Sequence, residues 1–151
     1  NLERTKLTAD VVVADALEWS PNTLFDAVLV DAPCSATGTL RRHPDLAFAK
    51  TGQDLEALTA LQTAMLDRAF EWLKPGGRMV FCTCSLLPQE GEEQRDAMLA
   101  RHPDMQIEDI LPEGVDPAWR AVGGGLRLRP DYWADRGGLD GFFMVRLQKP
   151  A

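Results

Sequence analysis

Phe25-Asp26-Ala27-Val28-Leu29-Val30-Asp31-Ala32-Pro33-Cys34-Ser35-Ala36-Thr37-Gly38 is the stretch on which the fold turns. Its apolar run from Phe25 to Val30 reads as a strand ended by Asp31, of the continuous kind that suits a parallel strand buried on both faces. A second exit of the same form follows Arg78-Met79-Val80-Phe81-Cys82, which runs into Thr83-Cys84-Ser85. Working outward, Ala9 to Ala14 is an earlier short β-branched run, ended by Asp15. From Gln53 to Leu73, apolar residues such as Leu55, Leu58, Leu61, Leu66, Ala69 and Leu73 recur at helical spacing, and Lys74-Pro75-Gly76-Gly77 stops that helix. Gly91 to Arg101 reads as a helix, Met105 to Ile110 as a short strand and Gly141 to Leu147 as the last strand. Pro112 to Gly138 has no clear periodicity and reads as a long loop, of a length that is usually functional or disordered.

This alternation predicts an open α/β sheet with helices on both faces, whose ligands lie beyond the carboxyl ends of the strands. If the strands ending at Asp31 and Cys82 are neighbours, at ~4.8 Å spacing, Cys34 and Cys84 open onto one crevice beside a carboxylate.

Composition limits the readings. The chain has 151 residues, 45% hydrophobic and 26% charged, which describes one ordinary soluble domain with a core. No apolar run approaches the ~20 residues that span a bilayer, and no charged, apolar leader opens the chain, so a cytoplasmic setting is the default expectation. Three cysteines without a secretion signal argue for thiols rather than a disulfide framework. Cys82-Thr83-Cys84 is too tight for a zinc pattern and only His43 and His102 remain as nitrogen ligands, so no metal site is expected. The net charge of −7 runs against a simple nucleic-acid surface, although Arg41-Arg42-His43 is a basic spot and Arg120, Arg127, Arg129, Arg136 and Arg146 scatter over the last third. The acidic Gln89-Glu90-Gly91-Glu92-Glu93 follows Pro88 and suits a helix start, where the macrodipole favours negative charge.

Taken together, Asp31-Ala-Pro-Cys34-Ser-Ala-Thr-Gly38, Arg41-Arg-His-Pro-Asp45, Lys74-Pro-Gly-Gly77, Thr83-Cys84-Ser85 and Asp140-Gly-Phe-Phe143 resemble the Nol1/Nop2/Sun family of RNA cytosine-5 methyltransferases, in particular its bacterial, Sun-like ribosomal RNA branch. The resemblance runs almost end to end, and Ala36 stands where many members carry glycine. It implies a Rossmann-like S-adenosylmethionine methyltransferase sheet. Family members continue upstream with a first strand and a Gly-rich loop that cradle S-adenosyl-L-methionine, and this chain contains neither. Residues 1–151 are therefore expected to be the C-terminal portion of a single catalytic domain, truncated at the N-terminus. Neither Gly76-Gly77 nor Gly123-Gly124-Gly125 replaces the loop.

The implied chemistry explains the residues. Carbon 5 of cytosine is too weak a nucleophile to attack a sulfonium methyl group until a thiolate adds at carbon 6, which is covalent catalysis by an activated cysteine. By the resemblance Cys84 is that nucleophile, Cys34 assists when the carbon 5 proton leaves and the enzyme–RNA bond breaks, and Asp31 holds the N3/N4 edge of the base. Asp15 matches the acidic residue on the adenine side of the methyl donor, and Asp31 also lies near the donor. DNA cytosine-5 methyltransferases use the Pro-Cys thiol instead; Thr83-Cys84-Ser85 points to RNA, with ribosomal RNA as the expected partner.

Plainer readings stand beside these. Asp15 and Asp31 sit where turns begin, a common place for aspartate. Cys82, inside a strand, reads as a small buried apolar residue, and His43 as a loop residue. A thiol-redox domain and a non-catalytic scaffold remain as alternatives, the first marked by a depressed thiol pKa and a reversible disulfide. In the family's sheet the strands before residue 1 separate Val11–Val13 from Phe25–Val30, so the chain is expected to re-pair internally, dimerise or aggregate through open strand edges.

Overall fold

The computed structural model describes residues 1–49 and 55–151. The elements in chain order are α1 (Leu2–Thr5), β1 (Phe25–Asp31), α2 (Leu46–Ala49), α3 (Leu55–Trp72), β2 (Leu73–Thr83), α4 (Glu92–Arg101), β3 (Gln106–Ile107), β4 (Leu126–Leu128) and β5 (Phe142–Gln148). Gln53 and Asp54, the expected start of the long helix, lie outside the described residues; α3 then ends at Trp72 and passes directly into β2.

The sheet runs in the order β1-β2-β5-β3, with β4 on β5 as well. β1 and β2 are parallel, and β5 is antiparallel to β2. β4 pairs with the first residues of β5 and β3 with its last, so the two short strands share one edge of β5. Strand alternation sends Met79 and Phe81 of β2 and Phe143, Val145 and Leu147 of β5 to one face, where they pack against Leu66 and Ala69 of α3 and Met98 of α4. Phe81, Phe143, Leu66 and Leu147 have no exposed surface, and each such side chain contributes about 1.5–3 kcal/mol by leaving water.

Three expectations need correction. Ala9 to Ala14 is not a strand: no described strand hydrogen-bonds to it, and Val11, Val12 and Val13 are 74%, 60% and 97% exposed. Apolar β-branched residues favour extended backbone, but a lone strand leaves its peptide groups without partners and is not stable. Among the described residues this run does not re-pair with β1 either, and β1 stands at one end of the strand order. The chain is fixed only afterwards, where the Trp19 ring meets Trp72 edge-on at 5.2 Å and Arg68 donates to the Trp19 carbonyl at 2.7 Å.

Secondly, among the described residues the helices that pack on the sheet, α3 and α4, lie on one face, and Leu29 on the other face is 69% exposed. The only helix before β1 is the single turn α1, which buries nothing. Thirdly, Pro112 to Gly138 is not structureless. It carries β4, and Trp119 stacks on Tyr132 at 5.3 Å and meets Trp133 edge-on at 4.9 Å. The Arg95 guanidinium donates to the carbonyls of Val122 (2.9 Å) and Gly124 (2.7 Å), pinning the glycine turn that enters β4.

Among the described residues no helix is long and apolar enough to cross a membrane, and no group of three or more His, Cys, Asp or Glu is placed to hold a metal ion.

Candidate active site

Because β1 and β2 are parallel neighbours with Asp31 opposite Cys82, their carboxyl ends release two loops side by side. The Ala32 amide donates to the Cys82 carbonyl at 3.1 Å, so the loops leave together. Cys34 and Cys84 then face each other with their sulfurs 3.5 Å apart, both half-buried and reduced. The Gly38 amide donates to the Cys84 carbonyl at 2.9 Å, and the amide of Gly141, just before β5, donates to the Gly38 carbonyl at 2.8 Å. Ala36 lies in the left-handed region at φ 58°, a conformation glycine adopts without the strain a Cβ brings.

Beneath the sulfurs lies a carboxylate. Glu90 has no exposed surface. Its Oε1 accepts from the Ser35 amide at 2.8 Å and from Gln62 Nε2 at 3.0 Å. Its Oε2 accepts from the hydroxyls of Ser35 and Ser85, each at 2.5 Å. Gln62 also donates to the Pro33 carbonyl at 2.9 Å, and Thr37 Oγ1 accepts from the Leu86 amide at 2.9 Å. Burial opposes ionisation of Glu90, but the donors from Ser35, Ser85 and Gln62 outweigh it and hold the carboxyl below its ordinary range.

Burial, and next the neighbouring Cys84, push the Cys34 thiol up to about 12, so it keeps its proton at neutral pH. Cys82 is pushed up to about 11, by burial first and then by Asp31, whose Oδ1 lies 3.8 Å from its sulfur; it donates to the Val30 carbonyl at 3.6 Å. This is a packed thiol in a strand, as its position in the sequence suggested.

Asp31 is exposed at the end of β1, in register with Cys82 and on the face that α3 and α4 leave open. Asp15 stands apart in a turn of its own: Oδ1 accepts from the Leu17 amide at 2.8 Å and its carbonyl accepts from Glu18 and Trp19. Several arginines of the basic spot and of the last third are engaged within the protein. Arg127 pairs with Glu92, donates to the Ser85 carbonyl and lies 5.1 Å over the Phe143 ring, while Arg129 pairs with Asp131 at 2.9 Å. Arg42 pairs with Asp140 at 2.5 Å, and Arg41 donates to the Gly137 carbonyl.

Glu90, Gln62 and the paired serines escaped the sequence reading. In sequence Glu90 reads with Glu92 and Glu93 as a helix-start cluster. Glu92 and Glu93 do form the first turn of α4, but Glu90 lies in the short turn Pro88–Glu90 before it. Gly91, which interrupts the acidic run, is the signal that separates it from the helix.

The comparisons bear on this arrangement. Residues 1–148 match the family model described as 16S rRNA methyltransferase RsmB/F. The ribosomal RNA small subunit methyltransferase B of Shewanella oneidensis is 39% identical over 154 residues, covering 99% of this chain and 33% of that protein. Its counterpart from Vibrio vulnificus is 46% identical over 154 residues, covering 100% and 33%. The chain thus spans about a third of the length of the curated relatives it matches. The structure of NSun6 from Pyrococcus horikoshii with SFG superposes with a TM-score of 0.80 at 26% identity, covering 99% of this chain and 37% of that one. A mixed sheet of the methyltransferase type, with the two thiol loops at its strand ends, agrees with the sequence match over nearly the whole length, and the chain belongs to the RsmB/F family of 16S rRNA methyltransferases, within the Nol1/Nop2/Sun group that its motifs resemble.

Proposed function

We propose that the protein to which this chain belongs methylates carbon 5 of a cytosine in ribosomal RNA, and that residues 1–151 are the C-terminal portion of its catalytic domain. The observation that carries this reading is the 3.5 Å separation of Cys34 and Cys84 on the adjoining exits of two parallel strands. Cys84 adds through sulfur to carbon 6, and the electrons of the C5–C6 double bond move to carbon 5. S-adenosyl-L-methionine, when bound, supplies the electrophilic methyl group. A base then takes the carbon 5 proton, the electrons of that C–H bond re-form the C5–C6 double bond, and the Cys84 sulfur leaves carbon 6 as a thiolate. Cys34, which holds its proton, donates toward the Cys84 sulfur and stabilises it as the bond to carbon 6 breaks.

Asp31 takes the N3/N4 edge of the base and the near side of the methyl donor, and Asp15 the adenine side. Both carboxylates are exposed, which fits groups that meet a polar ligand. The two glycine clusters weighed as a donor loop lie elsewhere: Gly76 and Gly77 inside β2, and Gly123 to Gly125 before β4. At the basic spot Arg41-Arg42-His43, the first two side chains brace the 137–140 segment rather than stand open to a phosphate. A redox role for the Cys34/Cys84 pair finds less support, because burial shifts Cys34 away from thiolate even where the sulfurs face each other.

The test is trapping. The full-length protein and the isolated chain are each mixed with S-adenosyl-L-methionine and RNA containing 5-fluorocytosine, whose fluorine cannot leave as a proton does. A covalent adduct that is lost in Cys84→Ser but retained in Cys34→Ser establishes the nucleophile. No adduct with the full-length protein ends the methyltransferase reading; an adduct with that protein alone makes the isolated chain an inactive piece of it.

A further inference from the structure

We infer that Glu90 is a positioning residue whose carboxylate holds the Cys34 loop and the Cys84 loop at their working separation; this rests on the proposed cysteine chemistry. Ser35 follows Cys34 and Ser85 follows Cys84, and both hydroxyls end on the same oxygen, Oε2. The other oxygen takes the Ser35 amide and Gln62, and Gln62 also holds the carbonyl of Pro33, the residue before Cys34. The side chain therefore ties the residue after each sulfur to one point, and α3 adds a third anchor through Gln62.

Counting protons shows why an anion stands there. Four N–H and O–H donors converge on two oxygens, which only an ionised carboxylate can accept without a donor of its own. A glutamine at 90 can keep one oxygen for the Ser35 amide and Gln62, but its NH2 then faces the Ser35 and Ser85 hydroxyls, which must turn round to accept; the charge-assisted bonds are lost and both serine protons need new partners. Backbone contacts also fix Glu90 itself: the Thr83 hydroxyl donates to its carbonyl at 3.1 Å, and its amide donates to the Leu87 carbonyl at 3.1 Å. The clamp is thus rooted in the end of β2 rather than in the mobile end of a long side chain.

Two readouts on the full-length protein test this. The first is a thiol ruler: diamide takes two electrons and two protons from the Cys34 and Cys84 thiols and is reduced to its hydrazide. Its rate is set by how often the sulfurs meet and by their thiolate fraction, the latter corrected for by the rate of alkylation of each thiol with iodoacetamide. Peptide mapping of the 34–84 disulfide gives the rate. The second is methylation of RNA, resolved into kcat and KM. Glu90→Gln is expected to slow the cross-link about tenfold and to lower kcat by roughly 10²-fold with KM within about twofold, the scale on which small misplacements act. Both are measured well below the melting temperature of the variant. Glu90→Asp keeps the anion on a shorter arm and is expected to fall between; it also supplies the readout if the glutamine variant does not fold. A lowered melting temperature with an unchanged cross-link rate and unchanged kcat overturns the inference, since that is what a purely structural residue gives. If the wild-type protein transfers no methyl group but its cross-link rate still responds to Glu90→Gln, the proposed reaction fails and the positioning role stands.

Discussion

The two strand-like runs that end in aspartate, Ala9–Ala14 before Asp15 and Phe25–Val30 before Asp31, look alike in sequence and behave differently in the fold. The second pairs along β2 and delivers Cys34 to a crevice of interlocked hydrogen bonds. The first pairs with no described strand, and its valines face water. The difference lies in the neighbours rather than in the residues. A strand is stabilised by the ladder beside it and the core beneath it, and one of these runs has both while the other has neither.

The sharpest way to break the comparison is to remove the core under the crevice. Phe81→Ala is expected to cost about 3–5 kcal/mol, read as a lower urea midpoint with an unchanged slope; a loss below about 1 kcal/mol would mean that the layer between β2 and α3 is not packed as described. Next comes the seam behind Cys84. A Cβ on Gly38 would lie 2.1 Å from the Gly141 carbonyl oxygen, where only main chain can yield, so Gly38→Ala is expected to destabilise by about 1–3 kcal/mol on the same assay.

A third effect depends on pH. Glu90 has a depressed carboxyl pKa in the fold, so its contribution is fully present above the ordinary value of 4.5 and disappears as pH falls through the lower folded-state value. The stability gap between wild type and Glu90→Gln should therefore be widest near neutrality and close in acid. A gap independent of pH from neutrality into acid would show that Glu90 is not ionised in the fold.

The smaller effects belong to the unpaired side. Leu29→Lys places a charge on the exposed sheet face beside the open edge of β1 and should lower self-association of the chain in sedimentation velocity without altering its melting point. A wild-type chain that stays monomeric at high concentration removes the basis for that expectation. Smallest of all, Val12→Ser should change stability by no more than about 0.5 kcal/mol, because Val12 is already 60% exposed; a larger loss would reveal packing on that run.

Much of the crevice was legible because its parts are local. Strand residues, the Pro-Cys and Thr-Cys exits and the Lys74–Gly77 stop all carry their signal within a few positions, and adjacent parallel strands bring the two exits together. The buried clamp was not legible, because a glutamate that turns inward looks the same in sequence as one that faces water. Only the place of Gly91 hinted at its separation from α4. The excursion from Pro112 to Gly138 escaped for another reason: its order comes from stacked rings and from Arg95 reaching back from α4, contacts that leave no periodic trace. The run at Ala9–Ala14 has the pattern of a strand without being one, because periodicity reports what a segment can do, and a sheet decides whether it does.

The crossing of Gly38 and Gly141 has a mechanical consequence. From Gly141, just before β5, to the Cys84 carbonyl the connection is two backbone N–H···O hydrogen bonds in series through Gly38, with no side-chain rotor between them to take up slack. A push on the segment just before β5, which Arg41 and Arg42 grip at Gly137 and Asp140, is transmitted to the Cys84 backbone as through a short rigid strut. Whatever docks against that rim bears directly on the sulfur behind it.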